Sequence, residues 1–197
     1  MRDGQGLLET IIAIGIITSG LFAILTLVAA NARVGEATAL RFGAIQTARE
    51  GIEVVRAMRD SNWLAGSAWN TGLEGSGVDY SAIAVFDAAT STWSLVYGAN
   101  ALSENAARVI RRESNGETFF TQDASGGEGA GRTPYRRLIF VDPICESSDG
   151  ARVTVTSGSS CGADRVQIGI RAEVQVAWAH RGQDQRVTVE ETLYDWR

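Results

Sequence analysis

Hydrophobic and polar positions follow three regimes along the chain. From Ile11 the residues are apolar almost without interruption to Ala32, and none between Thr10 and Ala32 is charged. At 1.5 Å per residue, a helix over that stretch is roughly 35 Å long, enough to cross the hydrocarbon core of a bilayer. From Val34 the apolar positions thin to a stripe: Val34, Ala37, Leu40, Ala44, Ile45, Ala48, Ile52, Val55 and Met58 recur every three or four residues. Arg33, Glu36, Arg41, Arg49, Glu50, Glu53, Arg56 and Arg59 fall largely off it. This spacing predicts one helix of about sixty residues, apolar all round in its first half and on one face in its second. Asp60-Ser61-Asn62 with Gly66 marks its stop. The helix contains no Pro, and Gly15 and Gly20 are the weak points of its apolar half.

Beyond the helix the period changes to two. Trp63 to Gly77 is rich in Gly, Ser, Asn and Trp and reads as a connecting loop in which Trp63 and Trp69 pack onto the helix. Strands are predicted at Val78–Phe86, Thr92–Tyr97, Arg108–Glu113, Glu117–Thr121 and Tyr135–Val141, with a helical turn over Ala99–Ala107 and an exposed loop over Asp123–Gly131. Val153 and Val155 suggest a further short strand. The clearest alternation is Val166, Ile168, Ile170, Ala172, Val174, Val176 and Trp178, followed by a turn at Arg181-Gly182-Gln183-Asp184 and a second alternation through Val187, Val189 and Leu193. These two runs predict a long antiparallel hairpin with one face on the helix. The fold class expected is α+β: a long N-terminal helix packed on an antiparallel sheet.

Composition narrows the function classes. With 197 residues the chain has room for one domain of about 130 residues after a helix. A net charge of -5 argues against a generally nucleic-acid-binding surface. All 18 basic residues are Arg, a matter of composition rather than of any spacing that demands a guanidinium. Cys145 and Cys161 lie in a stretch rich in Ser, Gly and Asp. If the apolar segment delivers the rest of the chain to an oxidising compartment, they pair; the alternative is two free thiols.

Glu9 is the exceptional residue. It sits between Leu7-Leu8 and the apolar run, where an ionised carboxylate in hydrocarbon costs about 2.5 to 3.5 kcal/mol without a partner. Gly4, four residues, Glu9 and then about twenty apolar residues running into a helix resemble the processing and assembly signal of type IV pilins and pseudopilins. On that resemblance Gly4 is the last leader residue, Gln5 the first mature residue, Leu7-Leu8 the apolar pair and Glu9 the fifth mature residue. The match is specific from Gly4 to about Trp63 and architectural beyond.

The resemblance implies cleavage after Gly4 by a membrane-embedded aspartyl prepilin peptidase and methylation of the new amine on Gln5. It also implies single-pass storage in the inner membrane, then assembly through the helix, with Leu7, Leu8 and Glu9 at the subunit contact, into a periplasmic or extracellular filament. The partners implied are other pilin subunits, the peptidase and the inner membrane. The organisation would be leader 1–4, membrane or filament-core helix 5–32, amphipathic helix 33–65 and β-rich domain 66–197. Gln at the first mature position and the Leu pair look more like minor pilins than Phe-led major subunits. In the family the disulfide usually closes the end of the chain, whereas here a long hairpin follows Cys161. Two plainer readings of the segment are an anchor for an extracytoplasmic binding domain and a signal peptide cleaved after Ala30-Asn31-Ala32.

No catalytic set emerges, so a structural protein rather than an enzyme is expected, with no cofactor and no metal. His180 lies at the end of an apolar face, with no nucleophile motif to join it. The Gly-rich stretch Gly126 to Gly131 lacks a P-loop Lys. Asp123, Glu128, Asp142, Glu146 and Asp149 are oxygen donors without EF-hand spacing. Arg108, Arg111 and Arg112, and separately Arg132, Arg136 and Arg137, form two small basic clusters that would suit DNA or an acidic surface, against the plainer reading of a solvated strand face.

Overall fold

The computed structural model describes residues 3–98, 100–114, 116–122 and 131–195. One helix, α1, runs Asp3–Leu64, and eight strands come after it: β1 Ser81–Asp87, β2 Thr92–Gly98, β3 Arg108–Ser114, β4 Glu117–Thr121, β5 Gly131–Ser147, β6 Arg152–Thr154, β7 Arg165–His180 and β8 Gln183–Tyr194. Contacts divide the chain into two compact units, Met1–Arg41 and Phe42–Arg197. In the first, every residue from Gly6 to Ala39 is helical and exposed.

In the second unit the amphipathic stripe does what its spacing requires. Ala44, Ala48, Ile52 and Val55 are buried, and Val54 joins them. Gly51 is buried too: a Cβ built there would stand 2.9 Å from Val174 Cγ1, so the absent side chain sets how closely helix and sheet approach. The helix runs past Asn62 to Leu64 and ends in a Schellman arrangement. Gly66 has φ 70°, Ser67 N–H donates to the Asn62 carbonyl at 2.9 Å and Gly66 N–H to that of Trp63 at 3.0 Å.

All strand pairs are antiparallel, and β5 is the spine. One edge of β5 pairs along its length with β7, from Tyr135↔Trp178 to Ser147↔Arg165. The opposite edge is shared in turn by β3 (Arg108↔Arg136), β1 (Ala82↔Ile139) and β6 (Cys145↔Val153). β2 and β4 flank β1 and β3, and β8 pairs with β7 alone, leaving its outer edge open. The turn between β7 and β8 is two residues, Arg181 (φ 52°) and Gly182 (φ 78°), with His180↔Gln183 closing it. Two positive φ values give the type I′ geometry that matches strand twist.

Side chains alternate as predicted on β7: Ile170, Ala172, Val174, Val176 and Trp178 are buried on the face that meets α1, while Val166, nearer the start, is exposed. The other face is covered in part by a smaller cluster, Ile83, Ala107 and Leu138 with Leu102 and Phe140 packed on it.

Four expectations are corrected. The predicted strand at Tyr135–Val141 extends from Gly131 through Pro143 to Ser147. Pro143 is accommodated because a proline keeps its acceptor: its carbonyl takes the N–H of Val155, while a register shift occurs just beyond it at Ile144/Cys145. The predicted helical turn at Ala99–Ala107 is instead two separate reverse turns, closed by Glu104 N–H to Ala101 and Arg108 N–H to Asn105, both 3.0 Å. Ala99 itself, and all but Gly131 of the predicted loop Asp123–Gly131, lie outside the described residues. The strand suggested by Val153 and Val155 is three residues, Arg152–Thr154. The first strand begins at Ser81 rather than Val78.

Candidate functional site

The N-terminal segment is a continuous helix in which Gly4 and Gln5 lie in the first turns. Those turns hold the N–H groups without intrahelical acceptors, and Gly4 and Gly6 weaken them further, by about 1 kcal/mol each relative to Ala. Leu7, Leu8 and the large apolar residues after them, through Val28, are 53–70% exposed. The polar side chains among them are mostly silenced by the helix itself. Thr10 donates to Gly6 O at 2.8 Å, Thr18 to Ile14 O at 2.8 Å, Ser19 to Ile16 O at 2.9 Å and Thr26 to Ala23 O at 2.8 Å. Such back-bonding lets a hydroxyl sit in hydrocarbon without an outside partner. Glu9 has no such recourse: it is exposed, and among the described residues nothing bonds to it. This is one helix long and apolar enough to cross a membrane.

The two cysteines form a disulfide, Cys145–Cys161, with Cα atoms 5.4 Å apart. Cys145 is fully buried in β5, so the bridge ties the spine of the sheet to the loop between β6 and β7.

The acidic residues considered for a cation are scattered. Asp142 is 5% exposed, accepts from Arg171 Nε at 3.1 Å and Nη2 at 2.5 Å, and takes the Ser157 N–H at 2.7 Å. Glu146 pairs with Arg152 at 2.6 Å, and Asp149 accepts from Ser147 and from Ala151 N–H, which hold its carboxyl below the ordinary aspartate range. Asp123 and Glu128 lie outside the described residues. Among the described residues no three His, Cys, Asp or Glu side chains gather.

The two arginine clusters do not survive as clusters, because neighbours in a strand point to opposite faces. Arg137 turns towards α1 and is fully buried, while Arg136 turns away. Arg137 Nε donates to Gln122 Oε1 at 3.0 Å, Nη1 donates to Thr47 O at 3.2 Å and lies 3.8 Å from Glu50 Oε1, and Nη2 has no hydrogen-bond partner. Gln122, also fully buried, donates to the carbonyls of Ala107 (3.0 Å) and Arg137 (2.6 Å) and accepts from Ala84 N–H at 3.2 Å. It fills the gap that β1 and β3 leave along the edge of β5.

Sequence patterning does not single out this network, although Arg137 stands in alternation with Ile139 and Val141, the signal of an inward-facing position. Arg111 pairs with Glu113 as a solvated strand pair. Arg108, across β3 from Arg136, faces away from α1 with it.

No family model, curated protein or solved structure matches this chain.

Proposed function

We propose that this chain is a structural subunit, a minor pilin or pseudopilin, of a type IV pilus-like filament. The observation that carries the reading is the stretch from Gly6 to Ala32: an exposed apolar helix whose hydroxyls bond to its own backbone and whose one charge is Glu9. A membrane accommodates the apolar surface before assembly and the same surface of other copies accommodates it afterwards. Repetition of one helix contact by a screw operation does not close, and so gives a filament. Cleavage after Gly4 creates a cation, the amine of Gln5, one helical turn from Glu9 in the same chain and available to Glu9 of a neighbour. The disulfide supports delivery of the sheet domain to an oxidising compartment, the periplasm or the cell exterior.

The mature amino terminus tests this. A mass spectrum of the protein from its native cells is expected to begin at methylated Gln5. A terminus at Met1 or Arg2 would mean an anchored domain that is never processed, and one at Arg33 would mean a secreted protein.

A further inference from the structure

The sheet face turned away from α1 carries a cleft of about 410 Å3, bordered by Leu102, Ser103, Arg136, Ala177, Asp184 and Arg186. Its floor includes a row across three strands, Arg136, Ala177 and Arg186, and the same row continues beyond the cleft to Arg108, because Arg108 pairs with Arg136, Arg136 with Ala177 and Ala177 with Arg186. Residues directly opposite one another in antiparallel strands share a face. Three guanidinium groups therefore share one row, with a methyl group between the last two.

Like charges opposite one another destabilise a sheet, and Arg108 and Arg136 stand opposite one another. Among the described residues no acid lies within ion-pair distance of Arg108, Arg136 or Arg186. Arg186 Nη1 reaches only the amide oxygen of Gln175, at 3.4 Å, and Arg136 Nε is buried with no hydrogen-bond partner. Elsewhere the same sheet handles its arginines differently: Arg171 has Asp142 and Arg152 has Glu146. The row stands in a chain with more acids than bases.

We infer that this cleft is a binding site for a small phosphate-bearing ligand, the oxyanion lying over Ala177 between Arg136 and Arg186. Arg136 and Arg186 are two strand spacings apart, roughly 10 Å, a separation that a tetrahedral oxyanion bridges with charge-assisted bonds from both sides. The Ser103 hydroxyl on the covering turn is a further donor, and Leu102 supplies an apolar wall for the rest of a phosphate ester. The positive row is short. Asp184 bounds the cleft at one end, and on the same face Glu173 lies opposite Glu190 two rows beyond Arg136, so no continuous basic track runs along the sheet. A nucleic-acid strand needs such a track. The site is independent of the filament reading.

Titration calorimetry on the full chain in detergent micelles tests it, with inorganic phosphate and glycerol 3-phosphate as probes at constant ionic strength. Expected is saturable binding at one site per chain, weakened about tenfold or more by Arg136→Gln and by Arg186→Gln and unchanged by Arg165→Gln, which lies at the far end of β7. Tighter binding of the ester than of phosphate identifies an organic phosphate as the occupant, and equal binding identifies the free anion. Absence of saturable binding by either probe overturns the site, as does undiminished binding in a folded Arg186→Gln variant. Arg186 is exposed on an edge strand, so that variant keeps the test decisive even if Arg136→Gln does not fold. Preference for an eight-nucleotide DNA or an acidic peptide over both phosphates would also overturn it.

Discussion

Arg137 Nη1 lies 3.8 Å from Oε1 of Glu50, so the spine of the sheet and the second half of the helix are joined through a cation with no exposed surface. Burial raises the Glu50 carboxyl above the ordinary glutamate range and lowers the Arg137 guanidinium below its own, each shift opposed by the partner's charge. Both shifts say that withdrawing these groups from water outweighs their attraction. With Arg137 fully buried and Glu50 32% exposed, such a pair is weak evidence for added stability.

The sign for pH is set by Glu50. Its folded pKa is raised, so its contribution to stability is complete below the unfolded value and is withdrawn as pH rises through the folded one. Glu50→Gln mimics the protonated form. The difference in Tm, variant minus native, should therefore move in the variant's favour between about pH 4 and about pH 7. Thermal melts of both proteins across that range check this; a difference that stays flat or moves the other way contradicts it.

The Cys145–Cys161 bridge closes a loop of sequence separation 16. In the chain-entropy model its loss costs about 3 kcal/mol, which for a domain of this size lowers Tm by roughly 6–12 °C. Calorimetry of the protein with both cysteines changed to Ala measures it, and an unchanged Tm would show that the sheet does not depend on the bridge.

Gly51→Ala pits helix propensity against packing. Ala favours an exposed helix by about 1 kcal/mol, yet at this position the new methyl would stand 2.9 Å from Val174 and 3.2 Å from Arg137, both fully buried. Overpacking of that kind costs about 1–3 kcal/mol, so a net loss of roughly 1 kcal/mol is expected. Gly35→Ala, with nothing within 4 Å, should not lower stability. Denaturant titration of the two variants separates the effects.

On the proposed filament reading, Glu9→Ala should leave cleavage after Gly4 intact while reducing incorporation into filaments, because that reading makes Glu9 the partner of a neighbour's Gln5 amine. A bulky residue at Gly4 should block cleavage itself. Mass spectrometry reads cleavage in both variants, and the yield of sheared filaments reads incorporation. Normal incorporation of Glu9→Ala beside native subunits would remove the pairing role.

How much of the fold and the site is legible in the sequence depends on how local the signal is. The stripe from Ala44 to Val55 and the alternation on β7 are set by side-chain period within one element, and both are present as expected. The strand expected to end at Val141 runs on through Pro143, whose carbonyl still joins the next segment, a contact that no local period announces. The arginines mislead because adjacency in sequence is opposition in a strand: Arg136 and Arg137 read as one patch and fold to two faces. The network of Arg137, Gln122 and Glu50 and the row of Arg108, Arg136 and Arg186 each draw on elements far apart in the chain. Strand register brings them together, and no single stretch of sequence contains it.

The open outer edge of β8 has a consequence for crowding. Along its twelve residues β8 bonds to β7 on one side and turns a row of backbone amides and carbonyls outward on the other, a template for another strand, and sheet-to-sheet accretion is the ordinary fate of such an edge. Here Glu190 and Glu191 stand side by side, one carboxylate to each face, with Asp184 and Arg186 nearer the turn. Glu191 pairs with Arg56 and Glu190 lies 3.9 Å from Arg171, so a second copy aligned antiparallel about that midpoint would crowd one set of charged pairs against its like on both faces. The β8 edge, lined by charged side chains, is thereby a poor nucleus for strand-to-strand aggregation when molecules are held at high density.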